Sequence, residues 1–141
     1  MIDSFRGRYR FLSNFYPSPL EYNGTFFPTA EHAYQASKAM SPIDRDMIAA
    51  LSKAGDAKRK GQKVRCRPDW DKVRVDIMRE IVTAKFTNPD LRKRLLDTGD
   101  EELIEGNNWG DRFWGKVNGG GQNWLGRILM GIRDEQSRIP T

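Results

Sequence analysis

Cysteine and histidine are almost absent from this chain of 141 residues, which contains only Cys66 and His32. A single cysteine cannot form a disulfide within the chain, and this is typical of a cytoplasmic protein. One cysteine and one histidine also fall short of the three or four ligands of a usual zinc site. We therefore expect no metal, and we interpret His32 as a structural residue.

Long apolar runs are missing as well, and the first residues lack the apolar segment of a secretory leader. Hydrophobic residues make up 38% of the chain and charged residues 30%. We expect a soluble, cytoplasmic protein that does not associate with a membrane. The length fits one domain, and the sequence shows neither repeats nor a linker, so we predict a single domain over residues 1–141.

Acidic residues are scarce in one stretch of a chain whose formal net charge is +5. Such a basic run is most often solvated, but it could also hold the phosphates of a nucleotide or a nucleic acid. No zinc finger and no aromatic RNA-binding pattern accompanies it, which disfavours sequence-specific DNA recognition. The basic run comprises Lys53, Lys58, Arg59, Lys60, Lys63, Arg65 and Arg67, with Asp56 as the one acid among them.

Residues 26–39 predict a helix whose polar chemistry lies on one side. Thr29 follows Pro28 and is a typical N-cap. A polar face on a helix is most often a solvated surface. Here, however, the opposite face is small, which favours a helix packed by its back against the core with its front lining a polar pocket. The polar face holds Glu31, Tyr34, Gln35 and Lys38, and the small face holds Ala33, Ala36, Ser37 and Met40.

The first part of the chain reads as β structure. Asn23-Gly24 predicts a hairpin turn between strands at 20–22 and 25–27. The aromatic segment 10–17 precedes it and is interrupted by Ser13-Asn14, which either face a ligand or cap a turn.

Helices follow the hairpin, and the predicted fold class is therefore α+β and mostly helical, with a small antiparallel hairpin. The predicted segments are a helix from Ser41-Pro42 to before Gly55 with a stripe of Met47, Ile48 and Leu51, a basic helix or loop at 56–63, a helix after Asp69 with a stripe of Val73, Ile77, Ile81 and Ala84, a helix from Asn88-Pro89 to Thr98-Gly99, a short strand near Leu103-Ile104, and a last helix from Trp124 to about Arg133.

A glycine-rich stretch at 106–123 precedes the last helix. Its three consecutive glycines, 119–121, could aim backbone N–H groups at an anion, and Trp109 and Trp114 offer faces for stacking. A mobile loop anchored by aromatic side chains is the alternative. The concentration of these residues just before a helix start favours a binding role.

Together these segments resemble one known family, the NADAR (YbiA-like) superfamily, and the resemblance covers nearly the whole chain in order. The segments that carry it are Phe11-Leu12-Ser13-Asn14-Phe15, Gly24, Phe27-Pro28-Thr29-Ala30-Glu31-His32-Ala33-Tyr34-Gln35-Ala36-Ser37-Lys38, Trp70 with Val73 and Met78, Trp109-Gly110-Asp111, Phe113-Trp114-Gly115, and Gly121-Gln122-Asn123-Trp124-Leu125-Gly126-Arg127-Ile128-Leu129-Met130.

The resemblance implies a compact α+β domain with a substrate cleft and an N-glycosidase activity that needs no metal or other cofactor. It implies removal of ADP-ribose from ADP-ribosylated guanine in nucleic acid or, as an alternative, cleavage of the N-glycosidic bond in phosphorylated riboflavin-pathway intermediates. Glu31 and Lys38 would form the catalytic pair, facing one cleft opposite the loop of Asp111 and Trp114. The residues predicted to bind substrate are Phe11, Ser13, Asn14, Tyr34, Gln35, Trp70, Asp111, Trp114 and Asn123.

Two mechanisms are compatible with the resemblance. In the first, Lys38 attacks the anomeric carbon and forms a Schiff base while Glu31 shuttles a proton. In the second, Lys38 stays charged and holds a phosphate or the sugar, and Glu31 acts as base. The first requires a neutral amine, which a nearby ionised Glu31 opposes.

Two readings without catalysis stay open: an ADP-ribose or NAD-binding module, and a nonspecific nucleic-acid binder. The expected partners are ADP-ribosylated guanine nucleotides or nucleic acid, or a phosphoribosyl small molecule. The sequence leaves open the substrate, the oligomeric state, the genomic setting and a toxin–antitoxin partner.

Overall fold

Helices dominate residues 1–139, the part of the chain that the computed structural model describes. They accompany one two-stranded antiparallel sheet, which confirms the predicted α+β, mostly helical class. None of the helices in this part of the chain has the length and apolar character needed to traverse a bilayer. The elements are a 3₁₀-helix (Gly7–Leu12), β1 (Leu20–Tyr22), β2 (Thr25–Phe27), α1 (Ala30–Lys38), α2 (Pro42–Ala50), α3 (Ala54–Gly61), α4 (Trp70–Lys85), α5 (Pro89–Leu96) and α6 (Trp124–Ser137).

The chain forms two compact units. The first combines Met1–Ser13 with Phe86–Thr141, of which residues 140 and 141 lie outside the described part, and the second is Asn14–Lys85. The second unit contains the hairpin and helices α1 to α4, and the first contains α5 and α6. The single domain over residues 1–141 stays a prediction.

Helix α1 is the central element of the unit 14–85. It packs against α2, α3, α4 and β2, and every residue from Ala30 to Ala36 is buried. The hairpin beside it has the predicted register, with Leu20 opposite Phe27, and its turn uses Asn23 and Gly24 at positive φ. A solvated surface helix is therefore the wrong reading of α1, because its polar face is as buried as its small one.

Two predicted apolar stripes in this unit differ from the structure. In α4, Ile81 is buried as predicted, but Val73, Ile77 and Ala84 are only half-buried. The core face is completed by Trp70, Met78, Val82 and Lys85. In α2 only Ile48 is buried. The predicted stop Gly55 lies inside α3, because α2 already ends at Ala50. Periodicity shows a helix, but neighbouring elements decide which of its faces becomes the core.

The other unit is built on α5 and α6, which pack together. Asn88 caps α5 as predicted, since its Oδ1 accepts from the backbone amides of Asp90 and Leu91. Helix α6 continues to Ser137, beyond the predicted end near Arg133. The strand predicted near Leu103 is only an isolated bridge to Ile2. The predicted β structure at the start of segment 10–17 is also wrong, because a 3₁₀-helix there buries Phe11 and Leu12.

Lys85, at the end of α4, is only 1% exposed, and its Nζ lies 5.9 Å from the centre of the Tyr16 ring. Burial lowers the pKa of Lys85 from 10.5 to about 7. Between pH 7 and pH 10.5, the Lys85 amine carries a proton in the unfolded chain but not in the folded chain. The free energy of unfolding therefore falls as the pH is lowered from 10.5 to about 7, and this loss persists at lower pH.

We expect Lys85→Met to gain stability relative to wild type as the pH is lowered from 10 to 7, because it removes a group whose protonation favours the unfolded chain. The difference in unfolding free energy between variant and wild type should change by at most about 1.4 kcal/mol per pH unit over this range. Urea unfolding at pH 7, 8, 9 and 10 measures it, with the exposed Lys72→Met as control. A difference that does not change with pH would contradict a neutral Lys85.

Candidate functional site

The first turn of α1 is held by a network around His32. Thr29 Oγ1 accepts from the His32 amide, at 3.1 Å, and lies 2.7 Å from its Nδ1. His32 Nε2 lies 2.7 Å from the carbonyl oxygen of Leu51, which only accepts, so Nε2 carries the proton and Nδ1 accepts from the Thr29 hydroxyl. Burial lowers the pKa of His32, which keeps the ring neutral. The structure thus gives His32 the structural role predicted for it.

This network fixes Glu31 at the start of the helix. The Glu31 side chain is buried, with 8% exposure, and its backbone amide donates to the carbonyl oxygen of Asn14 at 3.0 Å. One carboxylate oxygen, Oε2, accepts from Nε2 of Gln35 at 2.8 Å. The helix N-terminus and the Gln35 donor both interact favourably with a carboxylate at this position.

Two buried amide oxygens, on residues that are hydrogen-bonded to Glu31, lack a hydrogen-bond partner in the described part of the chain. They are Oδ1 of Asn14, 9% exposed, and Oε1 of Gln35, 6% exposed. The amide nitrogen of Asn14 donates only to the sulfur of Met78, a weak acceptor, at 3.4 Å. A buried acceptor without a donor costs about 1–3 kcal/mol, so the Asn14 oxygen is suited to a ligand that brings its own hydroxyl or N–H.

The rest of the polar face of α1 adds an aromatic pair and an amine. The rings of Tyr34 and Trp70 lie 5.1 Å apart at a tilt of 51°. Lys38 is the last residue of α1 and is half-buried, and its carbonyl accepts from the Arg67 amide at 2.9 Å. Within residues 1–139 its ammonium group forms no ion pair. The unit 14–85 thus brings together Asn14, Glu31 and Gln35 by direct contacts, and Tyr34 and Lys38 by sharing α1.

Basic residues of α3 lie next to the Asn14 segment. Lys58 Nζ is 6.0 Å from the centre of the Phe15 ring, and the last turn of α3 also carries Arg59 and Lys60. Arg59 forms an ion pair with Asp56, the one acid of the basic run. Arg67 is likewise paired with Asp69. The run holds seven basic residues and one acid, an excess of positive charge that suits a ligand carrying phosphate.

The small face of α1 borders a cavity of about 530 Å³. Two of its polar side chains already have partners: Tyr22 donates to Glu80 at 2.6 Å and Ser37 donates to the Ala33 carbonyl at 2.7 Å. The predicted close packing of the back of the helix holds at Ala33 and Ala36, which are buried, but toward Ser37 and Met40 the same face lines this cavity. Sequence patterns gave no signal for this cavity, since its lining comes from several elements, including Asn23, Arg45, Arg67 and Asp69.

In the other unit, Asp111 and Trp114 are joined in one loop. Asp111 Oδ1 accepts from the backbone amides of Phe113, at 3.0 Å, and Trp114, at 2.9 Å. Asn107 closes the loop by hydrogen bonds to both the amide and the carbonyl of Asp111. The Trp114 ring packs edge-on against Phe113 at 4.8 Å. This loop is therefore ordered by its own hydrogen bonds.

The predicted contacts Asn123 and Phe11 occupy structural positions in the same unit. Asn123 is buried at positive φ, accepting from the Glu105 amide at 3.0 Å and donating to the Leu103 carbonyl at 2.9 Å. The Phe11 ring lies between Phe86 and the guanidinium of Arg94. Ser13 follows the 3₁₀-helix as its C-cap. Their contact with substrate stays a prediction, as does the cleft shared by Glu31, Lys38, Asp111 and Trp114.

The glycine-rich stretch forms a tight turn. Val117 and Gly120 exchange two backbone hydrogen bonds, of 2.8 and 3.0 Å, around Asn118 and Gly119, which both have positive φ. The Gly120 amide is thus used inside the turn rather than presented to an anion. Trp109, 55% exposed, keeps a face open to solvent.

Comparison with known proteins gives a consistent result. The NADAR domain family matches residues 4–136. A protein named N-glycosidase Npun_R5314, from Nostoc punctiforme, is 41% identical over 90% of this chain and 85% of its own length. The NMR structure of YbiA from Escherichia coli superposes with a TM-score of 0.84 at 33% identity, over 97% of this chain and 87% of that one.

A second group of relatives is longer. A protein named Riboflavin biosynthesis protein VVA0006, from Vibrio vulnificus, is 42% identical over 89% of this chain but only 35% of its own length. This chain therefore corresponds to about a third of that relative.

We expect Asn123→Ala to lower the free energy of unfolding by about 2–6 kcal/mol. The substitution leaves the Glu105 amide and the Leu103 carbonyl without a partner, at about 1–3 kcal/mol each. Urea unfolding measures the loss. Asn123→Gly removes the same two hydrogen bonds but tolerates positive φ, so it should still be clearly destabilised, and its difference from Asn123→Ala measures the backbone strain of alanine. Equal midpoints for Asn123→Ala and wild type would contradict the structural role.

Proposed function

This chain belongs to the NADAR domain family, and from that premise we propose that it is an N-glycosidase that removes ADP-ribose from ADP-ribosylated guanine in nucleic acid. The observation that carries the proposal is the buried Glu31 carboxylate, which accepts from Gln35. The Glu31 backbone amide is bonded to Asn14, a residue whose own buried acceptor has no partner among residues 1–139. Relatives named as N-glycosidases over most of their own length support the reaction class.

The chemistry of the bond explains why such a carboxylate is suited to it. Cleavage of an N-glycosidic bond builds positive charge on the ribose and negative charge on the departing base. A fixed carboxylate beside the anomeric carbon stabilises the first, or activates the attacking water. Glu31 is fixed before substrate arrives, so no reorganisation of this charge is needed during the reaction.

The surroundings of Glu31 are suited to ribose and phosphate. A ribose hydroxyl can donate to the Asn14 oxygen, which has no donor from the described chain. The phosphates of ADP-ribose would interact with the lysines and arginines of α3, of which Lys58 lies beside Phe15. Tyr34 and Trp70 offer rings for a base or for the adenine of the ligand.

We assign Lys38 the role of nucleophile. Its lone pair forms a bond to the anomeric carbon as the bond to the base breaks. The Glu31 carboxylate takes the proton that this leaves in excess on the Lys38 nitrogen and passes it to the departing base. Opening of the sugar then gives a Schiff base, and water hydrolyses it to the free sugar and the free amine. In the competing version Lys38 stays charged and binds phosphate, and Glu31 activates water directly.

A phosphorylated riboflavin-pathway intermediate is the second candidate substrate. The observation in its favour is the similarity to VVA0006 and to the chloroplastic riboflavin biosynthesis protein PYRR of Zea mays, which is 36% identical. Both substrates offer a ribose and a phosphate, so the site described is compatible with either. Two partners would follow only if ADP-ribosylated guanine is the substrate. One is the modified nucleic acid, and the other is a toxin whose modification this protein reverses.

We expect Glu31→Gln to retain substrate binding and to lower kcat by about 10²–10⁴, the usual effect of losing one acid–base group. Release of ADP-ribose from an ADP-ribosylated guanine oligonucleotide measures kcat, and the riboflavin-pathway intermediate is assayed in parallel. Glu21→Gln, in exposed β1, is the matched control. A near-normal kcat for Glu31→Gln would remove Glu31 from catalysis. Binding of both compounds without turnover by wild type would favour a binding module instead.

Borohydride added during turnover should trap a covalent sugar adduct, because it reduces a Schiff base to a stable amine. Peptide mapping should place the adduct on Lys38, and Lys38→Arg should abolish it. An adduct on Lys85, the buried amine with a pKa of about 7, would transfer the nucleophile to that residue. Turnover with no adduct at all would favour the version in which Glu31 activates water.

A further inference from the structure

The orientation of the Gln35 amide is dictated by Glu31. A carboxylate only accepts hydrogen bonds, so the amide must present its nitrogen to Glu31, and Nε2 does donate to Oε2 at 2.8 Å. The amide oxygen Oε1 consequently points away from the carboxylate. It is buried there and has no hydrogen-bond partner among residues 1–139.

Gly61, the last residue of α3, lies against that oxygen. A Cβ at Gly61 would overlap Oε1 of Gln35 and would lie 2.6 Å from its Cδ and 3.0 Å from its Cβ. The contact involves the whole side chain of Gln35 rather than its far end only. Gln35 therefore has no room to keep its present position beside any larger residue at 61.

The backbone does not explain the glycine. Gly61 is not among the glycines with positive φ, and as the last helical residue of α3 it does not occupy the left-handed position beyond a helix end that favours glycine. Gly55, in the same helix, would place a Cβ no closer than 3.8 Å to the guanidinium of Arg59. The steric demand is thus specific to the position that faces Gln35.

We propose that Gly61 and Gln35 form a positioning pair that holds the Glu31 carboxylate in place for cleavage of the glycosidic bond. The inference rests on the proposed function, and it deepens that function by giving Gln35 a task different from the predicted substrate contact. Gln35 acts through Glu31: its donor fixes the direction of Oε2, and Gly61 provides the space that this direction requires. A carboxylate displaced by about 1 Å would lose on the order of 10²-fold in rate.

The basic helix α3 therefore has two roles. Its lysines and arginines lie toward its C-terminal turn, and the same turn ends in the glycine that makes room for the side chain holding Glu31. Helix α3 packs directly against α1. A change in the packing of α3 is therefore transmitted to the carboxylate through one amide.

The test compares two single variants. Gln35→Met keeps a similar length but lacks the donor, and Gly61→Ala keeps the donor but displaces it. For each we expect kcat on the ADP-ribosylated guanine oligonucleotide to fall about 10²-fold while KM stays within about threefold. Gly55→Ala, the control in the same helix, should keep kcat and slightly raise Tm. A folded Gln35→Met protein with wild-type kcat would overturn the proposal.

A double-variant cycle tests the contact itself and does not depend on the two variants having similar stability. In a Gln35→Ala background the amide is gone, so adding Gly61→Ala should lower kcat less than threefold further and should cost less in Tm than it does in wild type. Full additivity of the two changes, in kcat and in Tm, would overturn the steric link.

The outcome also separates this inference from the function on which it rests. Wild type that is inactive on both the guanine and the riboflavin-pathway substrates overturns the proposed function and the catalytic role of the pair together. Active wild type with an insensitive Gln35→Met overturns only the positioning pair.

Discussion

The hydrogen bond between Gln35 and the buried carboxylate of Glu31 is the constraint on which much of the unit 14–85 depends. A carboxylate can be buried only where donors and dipoles replace water. The N-terminus of α1 supplies the dipole, Gln35 supplies the donor, and Gly61 leaves space for Gln35. The Glu31 amide in turn holds the Asn14 segment, whose side-chain oxygen is left for a ligand. One buried carboxylate therefore accounts for residues on three separate segments: the Asn14 segment, α1 and α3.

Buried side-chain atoms without a hydrogen-bond partner occur in both units of the described chain, for example on Arg92 and Gln136 in one and on Asn14 and Gln35 in the other. The unit 14–85 differs in how they are grouped. Asn14 and Gln35 are both hydrogen-bonded to Glu31, and Lys58 of the basic helix α3 lies near the Phe15 ring. Unsatisfied buried groups are destabilising, so two acceptors grouped around one carboxylate suit a ligand that completes them. This grouping supports placing the reaction chemistry on α1.

Local sequence signals predicted the parts of the fold that depend on local chemistry. The structure confirms Thr29 and Asn88 as the residues that precede α1 and α5, and it confirms the hairpin turn at Asn23-Gly24. Apolar periodicity misplaced the core face of α4, because the buried Lys85 does not look like a core residue. The sequence also identified Glu31 and Gln35 as polar neighbours at i and i+4. It could not show Gly61 facing Gln35, or the cavity beside Ser37, because both depend on how helices distant in the chain pack together.

The central claim is that sugar and phosphate bind at the Asn14 and Gln35 side of α1. Side-chain amide signals of the wild-type protein in a ¹⁵N-resolved NMR titration with ADP-ribose test it most directly. We expect the chemical shifts of Asn14 and Gln35 to change and to saturate together. The shift of Asn23, which lines the cavity of about 530 Å³, should not change. Saturable shifts at Asn23 with Asn14 and Gln35 unchanged would contradict it.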